Sequence, residues 1–189
     1  MKNKIKNLIN RILKRGFGYH ITKVDISEGI YRPHLISFIN DHEIAIKGEV
    51  LDVGAGSWTW VKDNFKNKSH ITSFDQIRYE DTDIVGDIHE LSKYLPLDKF
   101  DVVFCLETME HVKNPFVAIN EIHKVMKVGA LLVASTPFRH MLHGEEYGDY
   151  WRITRQGWRE LLEKFDGIKI VPVGEELMPH HYMISARKK

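Results

Sequence analysis

Two groups of residues carry spacings that suit chemistry. The first is "EVLDVGAGSWTW", residues 49–60, an apolar run that turns acidic at Asp52 and breaks on Gly54 and Gly56 around Ala55. Glycines after a strand let the backbone turn sharply and approach a ligand, and the helix that follows aims its N–H groups at it. Asp75, with Gln76 beside it, comes nineteen residues after Gly56. An acid at that distance accepts from both hydroxyls of a ribose. Asp87 in "GDIHE" is placed to accept from an exocyclic adenine amine, with Ile88 flat against the ring. The plainer alternatives are a strand-end aspartate at 75 and a turn cap at 87. A dinucleotide loop needs a glycine at its sixth position, beside the pyrophosphate. Here Thr59 holds that position and Trp58 precedes it. The pattern therefore suits a nucleoside cofactor without a pyrophosphate.

The second group follows the run "FDVVFC". In "CLETMEHV", Leu106, Glu107, Glu110 and His111 lie within six residues. Further on, "STPFRHMLHGEEYGDYWRIT", residues 135–154, brings His140, His143, Tyr147, Tyr150, Trp151 and Arg152 into one long segment. Aromatic faces suit planar rings or sugars, and arginine suits a carboxylate or phosphate. This segment is the expected acceptor wall. A hydroxyl acceptor benefits from a base that titrates near neutrality, which histidine supplies best. His111 and His143 are the candidates. His20, His34, His42, His70, His123, His180 and His181 read as surface or packing residues. Cys105, the single cysteine, reads as a small buried hydrophobe and suits a reducing compartment.

Strands alternating with helices must position these groups. "EVLDVG", "HITSFD", "FDVVFC" and "ALLVAST" read as strands, with a short one in "DIVGDIHE". "YRPHLISFINDHEI" reads as a helix with Pro33 in its first turn, where the missing N–H costs nothing. "WTWVKDNFK", "NPFVAINEIHKVMKVG" and "TRQGWRELLEKF" read as helices, the last capped by Thr154. "IKIVPV" and "HYMISARK" are joined by a link too short for a crossover, so they pair antiparallel. The expectation is an α/β fold with a mostly parallel sheet.

The chain has 189 residues and a formal net charge of +1. That balance hides an asymmetry, because residues 1–15 hold six Lys or Arg and no acid, leaving the body net acidic. An acidic body is a poor surface for nucleic acid. Residues 1–18 read as a basic amphipathic helix and 19–189 as the catalytic domain. Such a helix lies on an anionic membrane or packs on a protein. No apolar run approaches a spanning length.

"VLDVGAG", "FDVVFCLETMEHVKNP", "INEIHKVMKVGALLVASTPF" and "YWRITRQGWRELLEKF" together resemble class I S-adenosylmethionine-dependent methyltransferases. The resemblance implies a Rossmann-like seven-stranded sheet with helices on both faces and an antiparallel strand one place in from its edge. It implies S-adenosyl-L-methionine as cofactor: Gly54, Ala55 and Gly56 at its methionine end, Asp75 at the ribose, Asp87 and Ile88 at adenine. Leu106, Glu107 and His111 would line the sulfonium side, and Asp52 completes the acidic set. Trp58, and "KVGA" in place of Lys-Pro-Gly-Gly, depart from the family pattern. The run "YGDYWRIT" is similar to glycan-associated methyltransferases. Glu107-x-x-Glu110-His111 is similar to ubiquinone-pathway O-methyltransferases, where these residues are associated with a divalent metal. In this chain the two acids read instead as cap and lid residues, with no metal expected. Both similarities favour an oxygen acceptor on a small molecule, glycan or lipid-linked substrate. The single cysteine fits a reducing cytoplasm, and the basic N-terminus would hold the enzyme near a membrane-borne acceptor at the inner face. A nucleic-acid methyltransferase and a non-catalytic cofactor-binding partner are the alternatives.

Overall fold

The structure, a computed structural model, describes residues 26–189. The basic segment expected over 1–18 lies outside the described residues. In chain order the elements are helix α1 (Ile26–Asn40), strand β1 (Gly48–Val53), α2 (Trp60–Phe65), β2 (Ser69–Asp75) and β3 (Ile84–Val85). They continue with α3 (Leu91–Tyr94), β4 (Phe100–Leu106), α4 (Pro115–Val125), β5 (Met126–Pro137), α5 (Arg155–Leu161), β6 (Phe165–Glu175) and β7 (Met178–Lys188).

Alternation of side chains along each strand builds two apolar layers, one on each face of the sheet. Val103 and Cys105 of β4 and Leu132 and Ala134 of β5 point to one face, where Ala118, Ile119 and Ile122 of α4 and Trp158 of α5 cover them. Val102, Phe104 and Leu106 with Leu131 and Val133 point to the other, under Leu35, Phe38 and Ile39 of α1 and Val61 and Phe65 of α2. Cys105 is fully buried, and that burial pushes its thiol pKa far up, so it is the inert hydrophobe expected.

Among the described residues the sheet has seven strands in the order β3-β2-β1-β4-β5-β7-β6. β7 runs antiparallel to both β5 and β6, and the other pairings are parallel. Connections run outward from β1 through β2 and β3, then return to the opposite side at β4. That reversal opens a crevice at the carboxyl ends of β1 and β4.

Two local expectations change. Pro33 lies inside α1 rather than in its first turn. It therefore removes an interior hydrogen bond, a loss that the buried Tyr31, Leu35, Phe38 and Ile39 on the same helix offset. The α4 helix stops at Val125, before the "MKVG" read as its last turn. Met126 already pairs with Phe100, and the register slips before Val102 pairs with Leu131. Gly129, at φ +78°, takes the backbone through that irregularity. The caps match their sequence signals: Thr154 accepts from the N–H of Gly157 at 3.0 Å and Asn114 from Val117 at 3.2 Å.

Candidate active site

The turns after β1, β2, β3 and β4 open on one cavity of about 700 Å³, within the usual range of about 300–1,000 Å³ for ligand sites. The predicted cofactor and base residues line it: Asp52, Gly54, Ala55, Gly56, Asp75, Gln76, Asp87, Ile88, Leu106, Glu107, His111 and His143; of the expected acceptor wall, His140, His143 and Tyr147 line it, whereas Tyr150, Trp151 and Arg152 do not.

One end is built on the glycine turn. The N–H groups of Gly54 and Ala55 donate to Phe74 O at 2.8 and 3.3 Å, which ties the turn to the end of β2. Asp75 is locked by two further backbone donors, Gly56 N–H at 2.9 Å and Ile77 N–H at 2.8 Å. Gly54 has φ +71°, and a Cβ there would stand 2.2 Å from Thr108 Oγ1. Only glycine allows that closeness, because the Thr108 hydroxyl is itself held by the carbonyls of Leu106 and Val53. A Cβ on Gly56 would meet nothing within 4 Å, so its backbone faces open space.

Charge at this end favours a cation. Asp52 is buried, and that burial, with Asp75 nearby, raises its pKa to about 7. Asp87 is an N-cap, accepting from the N–H of His89 at 2.9 Å and facing its ring Nδ1 at 2.6 Å. Burial pushes Asp87 upward, but the His89 bonds outweigh it and hold the carboxyl below its ordinary range. Four lining acids, Asp52, Asp75, Asp87 and Glu107, face two lining bases, Arg32 and Lys113. A pyrophosphate fits such a lining poorly, whereas a cationic sulfonium with an amino group fits it well. Trp58 forms part of the wall, half-buried between Trp60 at 5.8 Å and the Arg32 guanidinium at 5.2 Å from its ring. It narrows the cavity edge.

The other end is rich in imidazole. Glu107 turns into the left-handed region, φ +49°, a conformation that costs a non-glycine residue about 1–3 kcal/mol. Its Oε2 lies 3.1 Å from His181 Nε2. His181 stacks on Tyr31 at 4.2 Å, and the Tyr31 hydroxyl meets Ser135 Oγ at 3.1 Å. Burial, reinforced by Glu107, pushes the Tyr31 pKa well above its ordinary value. His143 packs edge-on against His111 at 4.8 Å and against His140 at 4.9 Å, while Tyr147 lies 4.7 Å from His111. The His111 pKa is lowered, chiefly by burial. Glu110 is fully buried behind these rings, and burial, with Glu107 next to it, raises its pKa strongly.

His181, read from sequence as a surface or packing residue, instead lines the cavity. It does so because β7 runs antiparallel to β5, which puts His181 opposite Pro137, at the active end of the sheet. Tyr31 reaches the cavity from α1, across 104 residues of sequence from Ser135. Neither has a local signal. The usable clue was pairing register, since a histidine near the start of a strand antiparallel to β5 must lie beside the carboxyl end of β5.

Fold and cavity together define a class I S-adenosylmethionine-dependent methyltransferase. Residues 7–171 match the family model described as a methyltransferase domain, and the chain belongs to that family. Its cofactor is S-adenosylmethionine. Among solved structures, a SAM-dependent methyltransferase from Archaeoglobus fulgidus aligns with TM-score 0.65 and 18% identity, covering 86% of this chain and 98% of that one. The 1,6-didemethyltoxoflavin-N1-methyltransferase of Burkholderia thailandensis, solved with S-adenosylhomocysteine, aligns at TM-score 0.65 and 16% identity, covering 99% and 90%. Phosphoethanolamine N-methyltransferase 2 of Haemonchus contortus, in complex with S-adenosyl-L-methionine, gives 0.64 and 12%, covering 95% of this chain and 59% of that one. No curated protein matches the sequence significantly.

Proposed function

We propose that this methyltransferase acts on an oxygen of a small-molecule, glycan or lipid-linked acceptor, and that His111 and His143 activate that hydroxyl. The observation carrying this reading is the convergence of His111, His140, His143, His181, Tyr31 and Tyr147 at one end of the cofactor cavity. Imidazoles accept a hydroxyl proton near neutral pH. Two of the solved neighbours are named as N-methyltransferases. At 16% and 12% identity they share the fold, so the acceptor atom is argued from this chain's own side chains.

At the opposite end Asp75 would take the ribose hydroxyls on the lone pairs its two backbone donors leave open. Asp87 and Ile88 would take adenine, and Asp52 the cationic amino group. Gly54, Ala55 and Gly56 would bring backbone close to the methionine portion, Gln76 would flank the ribose, and Leu106 and Glu107 would border the sulfur. The cofactor supplies a methyl group on a sulfonium, an electrophile for which the protein's task is mainly alignment and exclusion of water. Once bound, the cofactor would supply the methyl group and be left as the thioether S-adenosylhomocysteine, while His111 or His143 would take the proton released by the acceptor hydroxyl. We further propose a cytoplasmic enzyme held at a membrane face by its basic N-terminal residues.

Isothermal titration with S-adenosylhomocysteine, paired with methyl transfer to a panel of phenolic, sugar and amine acceptors, separates the two ends of the cavity. Asp75→Ala is expected to weaken cofactor-product binding by about 1–3 kcal/mol, the worth of the charge-assisted bonds lost. His111→Ala and His143→Ala are expected to bind it normally while transfer to hydroxyl acceptors falls by at least ten-fold. Turnover confined to amine acceptors would overturn the oxygen reading.

A further inference from the structure

Among the described residues at the histidine-lined end, Glu107 Oε1 and His181 Nδ1 lack hydrogen-bond partners, and Glu110 lacks one on both of its oxygens. Glu110 is also fully buried. A buried charge is tolerated when it is paired or when it coordinates a metal. Two imidazole nitrogens face its Oε1, His111 Nε2 at 3.6 Å and His143 Nε2 at 4.0 Å. These separations are too long for hydrogen bonds, yet one ligand atom from each of the three residues falls within 4.8 Å of the others. Ions with bonds of about 2.0–2.2 Å to nitrogen and oxygen hold tetrahedral ligand atoms about 3.3–3.6 Å apart, so the three side chains must draw together by about 1 Å to close on one.

The far sides of both rings are held in the manner of metal-bound histidines. His111 Nδ1 donates to Gly148 O. His143 Nδ1 lies 3.4 Å from Asp149 Oδ2, and Asp149 is fixed by Arg152, whose Nη2 is 2.8 Å from that same oxygen. Acceptors on Nδ1 set the tautomer and leave the Nε2 lone pair free for an ion. Glu107 stands outside this group, since its Oε2 is taken by His181.

We propose that Glu110, His111 and His143 form a divalent-cation site with one carboxylate oxygen and two imidazole nitrogens. That donor set selects a borderline first-row ion such as Zn2+ or Co2+ over Mg2+, which takes oxygen ligands. The site replaces the cap-and-lid role read for Glu110 from sequence. The use of the ion rests on the oxygen reading above: an ion here occupies the Nε2 lone pairs of His111 and His143 and, in place of those rings, activates a hydroxyl by lowering its proton affinity. Binding of the ion does not depend on that reading.

Co2+ titration of the untagged full chain tests the site without any acceptor. One equivalent retained through desalting, with the visible d–d bands of a low-coordinate nitrogen and oxygen site, is the expected result. Glu110→Gln and His143→Ala should each weaken Co2+ binding by at least ten-fold and abolish the bands, while both still bind S-adenosylhomocysteine, which shows that they are folded. Glu107→Gln should keep the bands. Unchanged bands in Glu110→Gln or in His143→Ala would overturn the site, as would their loss in Glu107→Gln. If the bands behave as expected but only amine acceptors are methylated, with or without Zn2+ or Co2+, the site stands and the oxygen reading fails.

Discussion

At the residue scale the cavity holds a buried carboxyl, Asp52, whose ionisation a cationic ligand would favour. Asp52 has an ordinary pKa near 3.8 and a folded value of about 7. A carboxyl whose folded pKa is raised stabilises the fold relative to the ionised state while it stays protonated. That contribution is lost as pH rises from about 4 through about 7. The upper bound is about 4 kcal/mol, and water in an open cavity reduces it. Asp52→Asn removes the titration. The ligand-free variant should therefore lose less Tm than the wild type between pH 5 and pH 8. S-adenosylmethionine, with its cationic amino group, should narrow the wild-type loss and weaken in affinity for the variant. Equal pH slopes for the two proteins in thermal unfolding would show that Asp52 is not the group responsible.

At the element scale the acceptor wall is a long connection stitched to the turn after β4. The N–H groups of Tyr150 and Trp151 both donate to Glu110 O, at 2.7 and 3.2 Å, and the indole N–H of Trp151 donates to Val112 O at 2.8 Å. These bonds fix the loop that carries His143 against the turn that carries Glu110 and His111. Trp151→Phe keeps an aromatic ring and deletes the indole donor, which costs about 1 kcal/mol of loop stability. A several-fold rise in acceptor KM with unchanged S-adenosylhomocysteine affinity is expected from paired kinetics and calorimetry. A loss of cofactor affinity of the same size would mean the loop also shapes the other end of the cavity. The loop's place was legible in sequence because "ALLVAST" reads as a buried strand and Thr154 as a helix cap. Its stitching was not, because main-chain bonds to Glu110 O and Val112 O leave no pattern in residue type.

At the scale of the whole molecule, what sequence reveals divides by range. Period-two alternation, a glycine turn and an acid at fixed distance are local, so the sheet, Gly54, Asp75 and Asp87 could be read directly. His181 and Tyr31 enter the cavity only through strand order and a helix crossing, so the imidazole-rich end was half visible. Charge distribution is also a whole-molecule property, and it yields the last prediction. Residues 1–15 carry six Lys or Arg and no acid on a chain whose formal net charge is +1, so attraction to an anionic surface must come from that segment against a net acidic body. No helix among the described residues is long and apolar enough to cross a membrane. Deleting residues 1–15 should therefore abolish co-sedimentation with vesicles containing anionic lipid at low salt. It should leave S-adenosylhomocysteine affinity unchanged, because the cavity lining among the described residues begins at Tyr31. Wild-type binding should also fall as salt rises through about 0.15 M, where the Debye length shortens to about 8 Å. Vesicle binding that survived the deletion would move the membrane contact onto the folded domain itself.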